Sequence, residues 1–196
     1  MNLFFVGGIN GVGKTSIVKK LSKTVPIQEL HGTTELMKWL GIAVGDYDTL
    51  RKIPENLKEK ALEEFFCDLA ADHSKRITMV TAHYVKIFNG RITPSYGPWY
   101  NYCDALILII SPPESILRRI INDETSEKRT KRSLFGTELA TRQKQVKFLE
   151  NAQLMSVKIM EQAAQVTKIP CFSIENIDGQ LLNSVKQLAQ IIEKGL

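Results

Sequence analysis

The chain has 196 residues, 43% of them hydrophobic and 24% charged, which is the balance of an ordinary globular domain and excludes disordered and fibrous classes. Its 26 basic and 21 acidic residues leave a net charge of +5, suited to a phosphorylated small molecule or a weak nucleic-acid contact without separating the two. The longest apolar run, Ala105 to Ile110, is far too short to cross a bilayer. No basic stretch precedes the first apolar run, so no signal peptide is expected. Cys67, Cys103 and Cys171 are widely spaced and form no paired motif, which reads as reduced thiols in the cytoplasm.

Apolar strand-like runs alternate with amphipathic stretches along the whole length, the grammar of a parallel α/β sheet in one domain. Asn2 to Val6 predicts a first strand, followed by a helix from about Lys14 to Thr24. Pro26 to Leu30 reads as a short extended piece, Thr34 to Leu40 as a helix and Gly41 to Lys52 as a loop broken by Gly45 and Asp46. Pro54 suits the first turn of a long helix running to about Ser74. On it Leu57, Ala61, Leu62, Phe65, Phe66 and Leu69 share one face and are expected in the core.

Ile77 to Thr81 predicts a second strong strand, and Tyr84 to Tyr102 reads as an irregular loop over the top of the sheet. Leu106 to Ile110 is apolar throughout, as expected of a strand covered on both faces. Helices follow from about Pro113 to Asn122 and from about Thr137 to Val166, then a strand at Ile169 to Ile174 and a last helix from about Gly179 to Lys194.

The chemistry is concentrated where the first strand ends. Gly8-Ile9-Asn10-Gly11-Val12-Gly13-Lys14-Thr15, followed by Ser16, matches G-x-x-x-x-G-K-[S/T] in full, between a predicted strand and a predicted helix. Such a loop wraps an anion, because backbone N–H groups from Gly11 to Thr15 point at a β-phosphate with the helix dipole behind them. Lys14 is expected to bridge the β- and γ-phosphates of ATP, and Thr15 to place its hydroxyl on Mg²⁺.

A basic segment follows the third strand. Arg118 and Arg119 lie two turns into the next helix, at the end of the sheet where ligands bind in open α/β folds. Lys128, Arg129, Lys131 and Arg132 follow in a short polar stretch able to close over phosphates and exclude water. Arg142 is a weaker candidate for the same task. Phosphate-loop enzymes commonly hold the Mg²⁺ shell with an acidic residue at a neighbouring strand end, yet the second strand closes in Thr81-Ala82-His83 and the third at Ser111. Thr81 offers a hydroxyl to a metal-bound water, Asp104 lies at the wrong end of its strand, and His83 lies at the right end to touch a phosphate or substrate. His31 and His73 have no clustering partner in the sequence.

Together, the phosphate loop, the strand ending in Ala82-His83, the Thr93-Pro94-Ser95 loop with its following Gly97-Pro98, and the Pro112 to Arg119 opening of a basic segment resemble the archaeal-type adenylate kinases. The resemblance implies a nucleoside-monophosphate-kinase fold: a five-stranded parallel sheet with helices on both faces in three layers, a monophosphate-binding helical insertion at about 31–74, and a lid at about 120–136. It further implies that Gly8, Asn10, Gly11, Val12, Gly13, Lys14, Thr15 and Ser16 bind the donor phosphates, that Arg119 lies by the adenine and lid phosphates, and that Arg129 and Arg132 are lid arginines. Thr34, Arg51, His83 and Lys86 fall where the acceptor monophosphate is contacted. Two departures stand out: Thr81-Ala82-His83 where the family tends to have Asp-Thr-His, and Ile120, Ile121 and Asn122 interrupting the compact lid arginines.

The expectation is transfer of the γ-phosphate of Mg·ATP to a nucleoside monophosphate, AMP first. Its rivals are a kinase of a small alcohol or sugar, and a nucleotide-dependent binding module, possibly on RNA, with little transfer.

Overall fold

The fold follows from where the continuous apolar runs go. In a computed structural model, which describes residues 2–72, 76–124 and 134–195, five strands form one parallel sheet in the order β2-β3-β1-β6-β7. These are β1 (Leu3–Gly7), β2 (Ile27–His31), β3 (Ile77–Thr81), β6 (Ala105–Ile110) and β7 (Cys171–Glu175). Strands β1 and β3 are buried along their whole length, and so is β6 except at Ile110. Strands covered on both faces have no polar side to alternate with. The register sets Val6 beside Thr81 on one side and Ile107 on the other, which aligns the carboxyl ends of all three central strands.

The helices are α1 (Lys14–Leu21), α2 (Gly32–Trp39), α3 (Tyr47–Lys52), α4 (Glu55–Ala71), α5 (Pro113–Glu124), α6 (Arg142–Thr167) and α7 (Leu181–Gly195). Helix α1 packs with α7, whereas α5 packs with α6, and α4 and α6 both meet a 3-10 turn at Pro98–Tyr102. The sheet therefore carries helices on both faces, in three layers. Strand β1 has β3 on one side and β6 on the other, and the chain leaves it toward the β2 edge. A crevice opens at such a switch point, and the phosphate loop occupies it.

Several expected elements change on folding. The Gly41 to Lys52 loop contains helix α3, because the Asp46 side chain accepts a hydrogen bond from the Thr49 backbone N–H at 3.0 Å and so caps it. The residue that read as a breaker is a start signal. The Tyr84 to Tyr102 stretch is not irregular: Val85–Phe88 (β4) and Arg91–Pro94 (β5) pair as a hairpin. Its two-residue turn is Asn89-Gly90, both at positive φ (46° and 71°), as a hairpin of this length requires. Tyr84, Trp99 and Tyr100 are core residues.

Leu57 is 48% exposed rather than buried, since full burial on α4 begins a turn later at Ala61 and continues at Phe65 and Phe66. Pro54 caps α4 instead of opening its first turn. The helix expected from Thr137 begins at Arg142, capped by the Thr141 hydroxyl, after a separate 3-10 turn at Thr137–Leu139.

Candidate active site

The loop from Gly8 to Gly13 leaves β1 and enters α1, with φ values of 142° at Gly8, 82° at Gly11 and 95° at Gly13. Only glycine takes up such values at little cost. Gly13 also lacks room for a side chain, because a Cβ there would stand 2.3 Å from the Asn176 amide nitrogen. Lys14 is buried, with 9% of its surface exposed, and its ammonium donates to the carbonyls of Gly8 (2.8 Å) and Ile9 (3.0 Å). A cation is thus held inside the loop at the positive end of α1, where an anion is favoured. Thr15 and Ser16 are exposed on the first turn of that helix, and Asn10 and Gly11 are half-buried at the loop's tip, while Val12 is buried.

Every carbonyl that turns away from the cradle needs a donor. The Gly8 carbonyl also accepts from His83 Nδ1 at 2.7 Å, which fixes the proton on that nitrogen because a carbonyl can only accept. Arg119 Nη1 donates to Gly11 O at 2.9 Å, and Asn176 Nδ2 to Val12 O at 2.7 Å. His83 and Arg119 therefore both meet the loop through its carbonyls. Asn176 was not legible: it sits just past β7, and nothing about an Asn at that point announces a partner 164 positions away.

Arg119 is oriented by Asp178. Its Nε donates to Asp178 Oδ1 at 3.1 Å, and Arg118 pairs with the other oxygen of the same carboxylate. The Ser115 hydroxyl and then the Arg119 guanidinium hold the Asp178 carboxyl down to about 2. A native value below the unfolded one stabilises the fold fully above the ordinary carboxylate range, and that contribution is lost as pH falls toward the native value. Asp178→Asn is expected to flatten the decline of melting temperature between about pH 4 and about pH 2. An acid limb identical to that of the wild type would show that the carboxylate is not engaged in solution.

At the end of β3, Thr81 is 6% exposed and directs its hydroxyl to the edge strand: it donates to Leu30 O at 3.2 Å and lies 2.8 Å from His31 Nδ1. His31 thus has a hydrogen-bond partner in Thr81, and the Thr81 hydroxyl is bonded toward β2. Asp104 lies at the opposite end of the sheet, as anticipated, accepting from the Leu3 backbone N–H at 2.7 Å.

Arg51 and Lys86 form a second group. The Arg51 guanidinium lies 5.1 Å from the centre of the Phe88 ring and pairs with Asp48, and Lys86 pairs with Glu55 at the start of α4. Burial pulls the Lys86 ammonium below its usual value. Lys86 and Phe88 alternate on one face of β4, so both cations gather there. Lys86 is three residues past His83, at most about 11 Å along the chain. Thr34 lies on the first turn of α2 and is half-buried. Arg142 pairs with Glu114 on α5. The proposed lid residues Lys128, Arg129, Lys131 and Arg132 lie outside the described residues, as does His73.

Among the described residues no cluster of three or more His, Cys, Asp or Glu side chains is placed to hold a metal, and no helix is long and apolar enough to cross a membrane. The exposed Thr15 hydroxyl beside the anion cradle is a donor set suited to Mg²⁺, a hard cation that takes few protein ligands and completes its shell with phosphate oxygens and water.

A five-stranded parallel sheet with a glycine-rich anion loop at its switch point and helices on both faces is the P-loop kinase fold. Solved structures agree on the fold. Shikimate kinase from Acinetobacter baumannii, in complex with shikimate, superposes with a TM-score of 0.59 at 14% identity over 98% of this chain and 93% of that one. The shikimate kinase of Bacteroides thetaiotaomicron gives 0.54 at 14% identity over 98% of each chain. An unliganded sugar kinase from Janibacter gives 0.52 at 12% identity, over 98% of this chain and 95% of that one. No protein-family model and no curated protein sequence matches the chain.

Proposed function

We propose that this chain is an ATP-dependent phosphotransferase that moves the γ-phosphate of Mg·ATP to a nucleoside monophosphate, with AMP as the acceptor. The observation that carries the reading is Lys14, buried with its ammonium on the Gly8 and Ile9 carbonyls of a loop whose Gly8, Gly11 and Val12 carbonyls are also held by His83, Arg119 and Asn176. Its N–H groups are left to a phosphate chain. Thr15 would hold Mg²⁺, whose chemistry when bound would be to neutralise charge on the transferring group. Lys14 follows the charge that develops on the β,γ-bridge, and Arg119 adds a second cation at the loop's tip. No covalent enzyme intermediate is needed, since positioning and electrostatics suffice for an in-line transfer.

The acceptor reading rests on the kind of charge near β4. Arg51 and Lys86 are cations paired with exposed carboxylates, and surface pairs of this type hold by only about 0–1 kcal/mol. An incoming phosphate can replace Asp48 and Glu55 at little cost. A phosphate acceptor is already an anionic nucleophile and needs no base. The lid, with Arg129 and Arg132, belongs to the same proposal.

A second reading, transfer to a hydroxyl, is supported by His83. The Gly8 carbonyl places a proton on Nδ1, which in the neutral tautomer makes Nε2 the basic nitrogen, and an imidazole of this kind is a general base for a hydroxyl. The similarity to shikimate and sugar kinases points the same way. Initial rates with Mg·ATP and a panel of AMP, CMP, UMP, GMP, shikimate and simple sugars separate the two. The expected result is a kcat/KM for AMP at least about tenfold above any hydroxyl acceptor. Preference for a hydroxyl acceptor would overturn the monophosphate reading and retain the donor site.

A further inference from the structure

We propose that Asn176 is a positioning residue for nucleotide binding: its side-chain amide aims the Val12–Gly13 peptide so that the Gly13 N–H faces the bound phosphate. The inference rests on the phosphate-loop reading of the same site. In a trans peptide the C=O and the following N–H point in opposite directions. A donor that holds Val12 O on the outside of the loop therefore directs the Gly13 N–H inward.

The atom next to Val12 O, at 2.7 Å, must be the amide nitrogen, because a carbonyl accepts and cannot donate. Asn176 is itself fixed from several sides. It is 5% exposed, its backbone N–H donates to Ile110 O at 2.8 Å, and its carbonyl accepts from the Ser111 hydroxyl at 2.6 Å. Its Oδ1 lies 3.5 Å from the Ser184 hydroxyl. Ser111 is in turn held by the Gln153 amide, which donates to Ser111 O and accepts from Ser111 N, both at 2.9 Å. The amide thus reaches the loop from the rigid ends of β6 and β7.

Space at the contact is made by the loop. A Cβ on Gly13 would stand 2.3 Å from Asn176 Nδ2, so Gly13 serves the amide as well as the turn. The same Asn176 carbonyl accepts from Arg119 Nη2 at 3.4 Å, and Arg119 Nη1 holds Gly11 O, which aims the Val12 N–H by the same rule. Two successive peptides of the cradle are therefore oriented from one point of the sheet.

The test uses the full chain, with ATP and inorganic tripolyphosphate as separate probes in titration calorimetry and a ligand-free thermal melt for each variant. Asn176→Ala removes the donor and is expected to weaken both ligands by about tenfold or more. Asn176→Asp keeps the shape and sets an acceptor against Val12 O, so at neutral pH it is expected to bind more weakly than Asn176→Ala. It should recover, relative to wild type at the same pH, as the introduced carboxyl takes up a proton and can donate.

A residue that only fills space would give the opposite order, with Asn176→Asp near wild type and Asn176→Ala lower in melting temperature alone. That order would overturn the proposal. Should Asn176→Ala fail to fold, the isosteric Asn176→Asp and its pH response carry the test. Wild-type protein that binds neither ATP nor tripolyphosphate would overturn the phosphate-loop reading itself, and this inference with it.

Discussion

Lys14→Ala is expected to lower kcat/KM for phosphoryl transfer by about a thousandfold, the upper range for loss of one preorganised charge donor at a transition state. The fold should persist. Lys14 donates hydrogen bonds to the Gly8 and Ile9 carbonyls, and Gly8 O keeps the His83 proton, so the stability cost is about 1 kcal/mol. A coupled assay beside a thermal melt reads both quantities. A folded variant with more than about a tenth of wild-type turnover would remove Lys14 from the chemistry.

The second large effect falls on stability. A Cβ at Gly7 would stand 2.1 Å from Tyr84 Cε2 and 2.4 Å from Cδ2. Tyr84 cannot withdraw, since it is fully buried, packs on Phe5 at 4.9 Å between ring centres, and donates its hydroxyl to Ile107 O at 3.3 Å. The same burial pushes the Tyr84 phenol well above its usual range, leaving a neutral donor. Gly7→Ala is expected to cost about 3 kcal/mol through overpacking, roughly 10 °C in melting temperature for a domain of this size. An unchanged melting curve would mean that the Tyr84 ring is not seated against β1.

Much of the architecture was legible because its signals are local. Strands β1, β3 and β6 are short apolar runs without alternation, and the phosphate loop is a contiguous motif between a strand and a helix. The hairpin at Val85–Pro94 had a signal too, Asn89-Gly90, but neighbouring prolines and glycines made the whole stretch read as loop. Asp46 likewise looks like a breaker until its Thr49 partner is seen. What could not be read is long-range: the Asn176 amide on Val12, the Asp178 carboxylate on Arg118 and Arg119, and the Thr81 hydroxyl on β2. Each joins residues that only the parallel sheet brings together.

The two groups of cations also differ in origin. Lys14 and Arg119 converge because β1 and β6 are adjacent, so any chain with this strand order places them at one edge. Arg51 and Lys86 meet through α3, α4 and the hairpin, elements that the sequence showed least clearly. The donor side of the proposal therefore stands on the sheet, and the acceptor side stands on the parts packed around it.

The most direct test of the central claim is phosphorus NMR of the wild-type chain with Mg·ATP and equimolar AMP. The account predicts conversion to ADP until forward and reverse transfer balance, and the same mixture when the chain is given Mg·ADP alone. An unchanged spectrum, or inorganic phosphate without ADP formed from AMP, would contradict it.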